Sequence, residues 1–285
     1  MKTTVIQIVA FACLLGLVMP LPEGDQFLDA ECGIRAQHRS KRVVNGTVAD
    51  MTSSPWMVFL RDEDYFICGG TLISNRLVLT TASCIKGHKN LMARLGEYWR
   101  HQESKCFGTY CTEREEHPVE KAIIHPYYNS IRFVNDIAIL LLQGTVVFKA
   151  NIRPICIARN TVEWAKSINE IQKLTGTGWG YTENGRTSNE LRTLEIWRQT
   201  PDVCAEFVGL NVTSKQFCAG SRTSTMCNGD SGGPVGAMIS TTKGDRFVQI
   251  GIASYTNYQC RRAVVFTDVL SHIDFILSVW RQYSS

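Results

Sequence analysis

Ten cysteines constrain the fold of this chain more than any other feature: Cys32, Cys68, Cys84, Cys106, Cys111, Cys156, Cys204, Cys218, Cys227 and Cys260. An eleventh, Cys13, lies in an apolar run over 5–18, broken only by Gln7, between Met1-Lys2 and Pro20. That layout reads as a secretory leader over 1–20, too short and wrongly flanked to cross a bilayer. Ten cysteines left in an exported chain read as five disulfides. No Cys-x-x-Cys pair or Cys/His cluster argues for a metal instead.

Formal net charge is +4, from 30 basic and 26 acidic residues among 285, with no basic run. Neither nucleic acid nor a membrane surface is indicated as a partner. Residues 137–147 come nearest to a later membrane span, and Gln143 and Gly144 interrupt them. Residues 21–42 are polar, end in His38-Arg39-Ser40-Lys41-Arg42, and read as a propeptide. Short apolar runs then recur at 56–60, 76–80, 136–142, 247–254 and 263–269, with Gly, Pro, Asn and Asp between them. Strands at such spacing predict an all-β sandwich or barrel. Only the end reads helical, where Val269, Ile273, Ile276, Leu277 and Trp280 share one helix face.

Gly229-Asp230-Ser231-Gly232-Gly233-Pro234 carries the chemistry. Its glycines permit a tight turn that aims two N–H groups at one point beside the Ser231 hydroxyl. Arg42-Val43-Val44-Asn45-Gly46, Pro55-Trp56, Cys68-Gly69-Gly70-Thr71-Leu72-Ile73, Asn135-Asp136-Ile137-Ala138, Arg153-Pro154-Ile155-Cys156, Gly178-Trp179-Gly180 and Phe217-Cys218-Ala219-Gly220 accompany it. With these motifs, residues 43–283 resemble the trypsin/chymotrypsin family of serine proteases. Leu95-Gly96-Glu97-Tyr98 and the nearby Cys106 and Cys111 are most similar to arthropod clip-type proteases. A clip domain itself is not expected, because 21–42 hold one cysteine.

The resemblance implies two six-stranded antiparallel β-barrels with a C-terminal helix, a protease domain over 43–285, and a site in the cleft between the barrels. It implies the pairs Cys68–Cys84, Cys204–Cys218, Cys227–Cys260 and Cys106–Cys111, with Cys32–Cys156 tying the propeptide to the body. Cleavage after Arg42 would free the Val43 ammonium to pair with buried Asp230 and order the pocket loops. Gly229 and Ser231 would supply the oxyanion hole. Asp136 and Ser231 match two members of the triad, but the position of the general base, in Leu79-Thr80-Thr81-Ala82-Ser83-Cys84, carries Ser83. A hydroxyl has no useful basicity near neutral pH, and losing the base of such a triad costs on the order of a millionfold in turnover. The remaining histidines, His38, His88, His101, His117, His125 and His272, read as surface residues that do not point at Ser231.

At the specificity pocket the resemblance assigns Thr225 to the floor and Thr256 and Val264 to the walls, a narrow slot without acidic preference for Arg or Lys. An upstream trypsin-like protease is therefore needed to cut after Arg42. Asn45 and Asn211 head N-x-Thr sequons, Asn45 close to the new N-terminus. Glu103, Glu113, Glu115 and Glu116 are calcium candidates by resemblance, but their spacing departs from the family's and favours a solvated acidic loop; no cofactor is otherwise expected. The reading favoured is a secreted, catalytically inactive protease homologue, processed after Arg42. It acts by binding proteases, zymogens, inhibitors or recognition proteins in an extracellular cascade, or as a decoy that holds them in its cleft. The alternative is an active endopeptidase of elastase-like preference with an unusual base.

Overall fold

The computed structural model describes residues 27–35, 47–49, 52–63, 65–100, 102–107, 110–159, 162–182, 185–222 and 225–283. The leader, Arg42, Val43, Asn45, His38 and His101 lie outside the described residues.

An edge strand, Thr47–Val48 (β1), precedes the first barrel. Its strands begin with Met57–Asp62 (β2), Tyr65–Leu72 (β3) and Leu77–Thr80 (β4). A one-turn helix, Ala82–Ile85 (α1), leads to Leu91–Leu95 (β5). A hairpin of Ser104–Phe107 (β6) and Tyr110–Glu113 (β7) stands outside the barrel, which Glu115–Ile124 (β8) and Ala138–Leu142 (β9) complete. It closes in the order β2-β3-β4-β9-β8-β5, antiparallel throughout. The continuous apolar runs of β4 and β9 are buried along their whole length, as unbroken runs of this kind require.

The second half begins with a helix, Val162–Glu170 (α2), followed by Lys173–Gly178 (β10) and Arg192–Gln199 (β11). Then come a helix, Pro201–Val208 (α3), and the strands Gln216–Gly220 (β12), Pro234–Thr241 (β13), Gly244–Thr256 (β14) and Val264–Asp268 (β15). Six strands run β11-β10-β13-β14-β15-β12; the β11–β12 pairing closes them, and β1 adds to β11. The chain ends in Ile273–Tyr283 (α4). Val269, Ile273 and Ile276 are buried, and Leu277 and Trp280 pack on the same core, which is the stripe expected from the sequence. The expectation of a single helix is corrected by α2 and α3. Pro201 in the first turn and left-handed Gly209, at φ 78°, are start and stop signals that the search for apolar runs passed over.

All five disulfides pair as the resemblance implied. Around Cys32–Cys156 the segment 27–35 is also docked by its backbone. The Leu28 N–H donates to the Ile157 carbonyl at 3.2 Å, and the Gly33 N–H to the Pro154 carbonyl at 2.8 Å. The barrels meet where Trp56 stacks on Phe247 with centroids 4.9 Å apart. The buried Thr71 hydroxyl bridges them by donating to Gln249 Oε1 at 2.8 Å.

Candidate active site

Ser83 and Ser231 open onto one cleft of about 310 Å³ between the barrels. Phe133, Met226, Ser254, Tyr255, Thr256 and Val264 line it with the Cys68–Cys84 bridge. Ser83 is the second residue of α1, and the neighbouring Cys84 is locked to β3 through Cys68. The first N–H groups of a helix lack intrahelical acceptors. Here the Ser83 N–H donates to Asp136 Oδ1 at 2.8 Å. The Ser83 hydroxyl donates to Asp136 Oδ2 at 2.9 Å, with Thr81 Oγ1 at 3.2 Å as an alternative partner. Ser254, at the cleft end of β14, donates its hydroxyl to the same Oδ2 at 2.6 Å. Thr267 anchors the Asp136 carbonyl from β15 at 2.9 Å.

Asp136 is thus a fully buried carboxylate whose recorded donors are all neutral. Burial pushes its carboxyl above the usual range, and the hydrogen bonds from Ser254 and Ser83 offset part of that rise. Nearby, burial and the Asp136 charge push the Tyr128 phenol up to about 12. Ser254 and Tyr128 escaped the sequence reading, because a lone hydroxyl signals nothing until the fold brings it to a carboxylate.

Ser231 sits in a loop that only glycines permit. Gly232 has φ 80°, and a Cβ there would lie 2.2 Å from the Gly69 carbonyl oxygen. The Asp230, Gly232 and Gly233 amides bond to the carbonyls of Cys227, Ala253 and Asp230. The amides of Gly229 and Ser231 have no such partner among the described residues. Asp230 points inward and accepts from the Gly180 N–H at 2.7 Å and the Cys227 N–H at 2.9 Å. Burial raises its carboxyl to about 6.

The described histidines lie elsewhere. His88 contacts Asp62 at 2.6 Å, and His117 contacts Glu115 at 3.5 Å. The expectation that His125 and His272 are surface residues is corrected: they are 9% and 2% exposed. Their rings meet edge to face with centroids 5.6 Å apart behind Asn135, whose Oδ1 lies 3.2 Å from His272 Nε2. Phe275 of α4 covers His125. A motif read locally could not show this, because α4 is far along the chain.

These rings give an acid-labile element. Burial and the neighbouring His272 and Lys215 lower His125 to about 4, and burial lowers His272 as well. An unfolded histidine titrates near about 6.5. The unfolded chain therefore binds more protons, and the stability contributed by neutral rings is present above about 6.5 and lost as pH falls toward 4. Asp136 and Asp230 act in the opposite sense, since raised carboxyls favour the fold as pH falls. We therefore expect the urea midpoint of the natural chain to fall more steeply from pH 7 to pH 4.5 than that of His125→Phe. Parallel profiles would remove His125 from the account.

In the pocket, Thr225 turns its hydroxyl to the Cys260 carbonyl and is not among the cleft-lining residues. Thr256 spends its hydroxyl on the Ala263 carbonyl at 2.8 Å and leaves its methyl group for the cleft. Met226 and Val264 line the cleft and are 1% and 3% exposed. Met226 was legible in principle, as the residue between the floor position and Cys227. Three of the four calcium candidates are engaged elsewhere: Glu115 with Lys149, Glu116 with Arg61 and Arg94, and Glu103 with Arg114. Among the described residues no group of three or more His, Cys, Asp or Glu is placed to hold a metal. Asn211 is exposed in the loop after α3. No described helix is long and apolar enough to cross a membrane.

Two closed barrels with a Gly-Asp-Ser-Gly-Gly loop at their junction define a serine-protease fold. The trypsin family pattern matches residues 43–276, and the chain belongs to that family. It is 32% identical to Serine protease grass of Drosophila melanogaster over 91% of this chain and 71% of that protein. It is 31% identical to Phenoloxidase-activating enzyme 1 of Spodoptera litura, over 86% of this chain and 68% of that one. It spans about half, 55%, of Transmembrane protease serine 11G of Rattus norvegicus, at 30% identity over 83% of this chain. The crystal structure of the Drosophila Grass clip serine protease of the Toll pathway is similar with TM-score 0.76 and 31% identity, covering 88% of this chain and 75% of that one.

Proposed function

We propose that this chain is a secreted, catalytically inactive member of the trypsin family that acts by binding within an extracellular protease cascade. One observation carries the reading: a Ser83 hydroxyl, rather than an imidazole, meets Asp136 Oδ2 at 2.9 Å in the cleft that holds Ser231. Ser231 keeps the position of the nucleophile, and Gly229 and Ser231 keep two amides for an oxyanion. Among the described residues lining the cleft no group accepts the serine proton and returns it to a leaving group, which is what turnover requires. A trypsin-like protease cuts after Arg42, and the Val43 ammonium then pairs with Asp230, whose carboxyl is already aimed inward. The Cys32–Cys156 bridge keeps the propeptide on the body after that cut. Relatives named for the Toll pathway and for activating phenoloxidase support a place among proteases, zymogens and their inhibitors. Asn211 and Asn45 are the proposed glycan sites, and a short apolar side chain is what the Met226, Thr256 and Val264 slot admits.

The test is hydrolysis of a panel of activated peptide esters by the chain cut after Arg42, against the same preparation carrying Ser231→Ala. Equal background rates are expected. A rate above that control in the natural chain would sink the inactive reading.

A further inference from the structure

We propose that the cleft accepts an imidazole from another molecule, and that the imidazole then serves as the missing base for Ser231. The inference rests on the reading that Ser83 stands where the base is absent. Two sources share this chemistry: free imidazole, and the side chain of a histidine in a bound peptide.

Four observations point to this ligand. Asp136 is a buried carboxylate, and the Ser83 hydroxyl, which lines the cleft, stands on its Oδ2. The groups that hold Asp136, the Ser83 amide, the Ser254 hydroxyl and the Thr267 hydroxyl, are independent of any imidazole. The Ser83 hydroxyl has a second acceptor, Thr81 Oγ1 at 3.2 Å. By rotating about its Cα–Cβ bond toward Thr81 it would vacate the space beside Oδ2 for an incoming ring N–H. The about 310 Å³ cleft is open from Ser83 to Ser231, and the flanking Phe133, Tyr255 and Met226 supply apolar surface for a flat ring. An imidazole with one N–H on Asp136 presents its other nitrogen toward Ser231 as an acceptor.

The chemistry closes on itself. As Ser231 Oγ bonds to the ester carbonyl carbon, its proton passes to the free imidazole nitrogen. The amides of Gly229 and Ser231 receive the developing oxyanion. The carbon–oxygen bond to the leaving group breaks, and the imidazolium returns the proton to that oxygen. Water then attacks the acyl-Ser231, giving one proton to the imidazole. Release of the acid returns that proton to Ser231 and restores both partners.

The experiment uses the full chain cut after Arg42, with an activated ester carrying a short apolar acyl side chain and imidazole from 0 to 200 mM. Free imidazole hydrolyses such esters slowly by itself, so Ser231→Ala measures that background. We expect a rate that saturates with imidazole, about tenfold or more above Ser231→Ala at equal imidazole, and reduced in Asp136→Asn. In the second arm, peptides with one histidine moved stepwise across the scissile bond are expected to be cut at a single histidine position without added imidazole. Saturation in the ester arm with no peptide cut would support the site and assign it to the free small molecule alone. Rates linear in imidazole and equal to Ser231→Ala, with no peptide cut, would overturn the inference. Ser83→His separates the two proposals: if that variant hydrolyses while imidazole does nothing, the cleft is closed to a foreign ring and the inactive reading stands. Turnover by the natural chain without imidazole, above Ser231→Ala, would defeat the inactive reading instead.

Discussion

Ser83→His is expected to convert the cut chain into a working hydrolase, with a gain of at least about 10³-fold and up to the order of 10⁶-fold over the natural chain. The size of the gain follows from what is already in place. Asp136 Oδ2 occupies the position that accepts from residue 83, and Ser254 holds it at 2.6 Å. The Cys68–Cys84 bridge and the helix-end hydrogen bond to Asp136 fix the backbone of residue 83. An imidazole on that backbone would be pre-positioned, so little ordering remains to be done during the reaction. The preferred substrates should carry a short apolar side chain before the scissile bond, because Met226, Thr256 and Val264, which line the cleft, offer apolar groups and no charge for Arg or Lys. The check is kcat/KM of Ser83→His against the double variant Ser83→His/Ser231→Ala. A folded Ser83→His no faster than the double variant would mean that the oxyanion amides or the Asp136 orientation do not serve catalysis.

Gly178→Ala should be among the most damaging single-methyl additions in the molecule. A Cβ at 178 would lie 2.0 Å from Asp230 Oδ1, far inside contact distance. The obstacle is a buried carboxylate that cannot retreat freely, since its oxygens are held by the Gly180 and Cys227 amides. Overpacking alone costs about 1–3 kcal/mol, and dislodging a buried hydrogen-bonded carboxylate adds to it. We expect a loss of about 3–5 kcal/mol in urea unfolding, the range for breaking the partnership of a buried charge. Because the clash is with one side chain, Gly178→Ala/Asp230→Ala should lose less than the sum of the single variants. Strict additivity would show that the strain at 178 has another origin.

The local chemistry of this chain was legible in its residues. Cysteine number indicated a disulfide fold, and continuous apolar runs marked strands that are now β2, β4, β9, β14 and β15. The helical stripe ending at Trp280 was visible because periodicity is a property of neighbouring residues. Ser231, Asp136 and Ser83 were identifiable for the same reason, since each sits in a short contiguous motif. The α3 helix was missed because its signals lie in punctuation, Pro201 and Gly209.

What the tertiary structure decided is who touches whom across long stretches of chain. Ser83 and Asp136 are 53 residues apart, and Ser254 lies 118 from Asp136; only closure of both barrels brings two hydroxyls onto one carboxylate oxygen. The burial of His125 and His272 depends on the far end of the chain folding back, with His272 against Asn135 and Phe275 of α4 against His125, so no local reading could tell them from surface histidines. Which hydroxyls face the cleft is likewise a product of folding, because those of Thr225 and Thr256 turn away to carbonyls supplied by Cys260 and Ala263. Residue identity settles which groups can take or give a proton. The solvent exclusion and distances that decide whether they do belong to the fold.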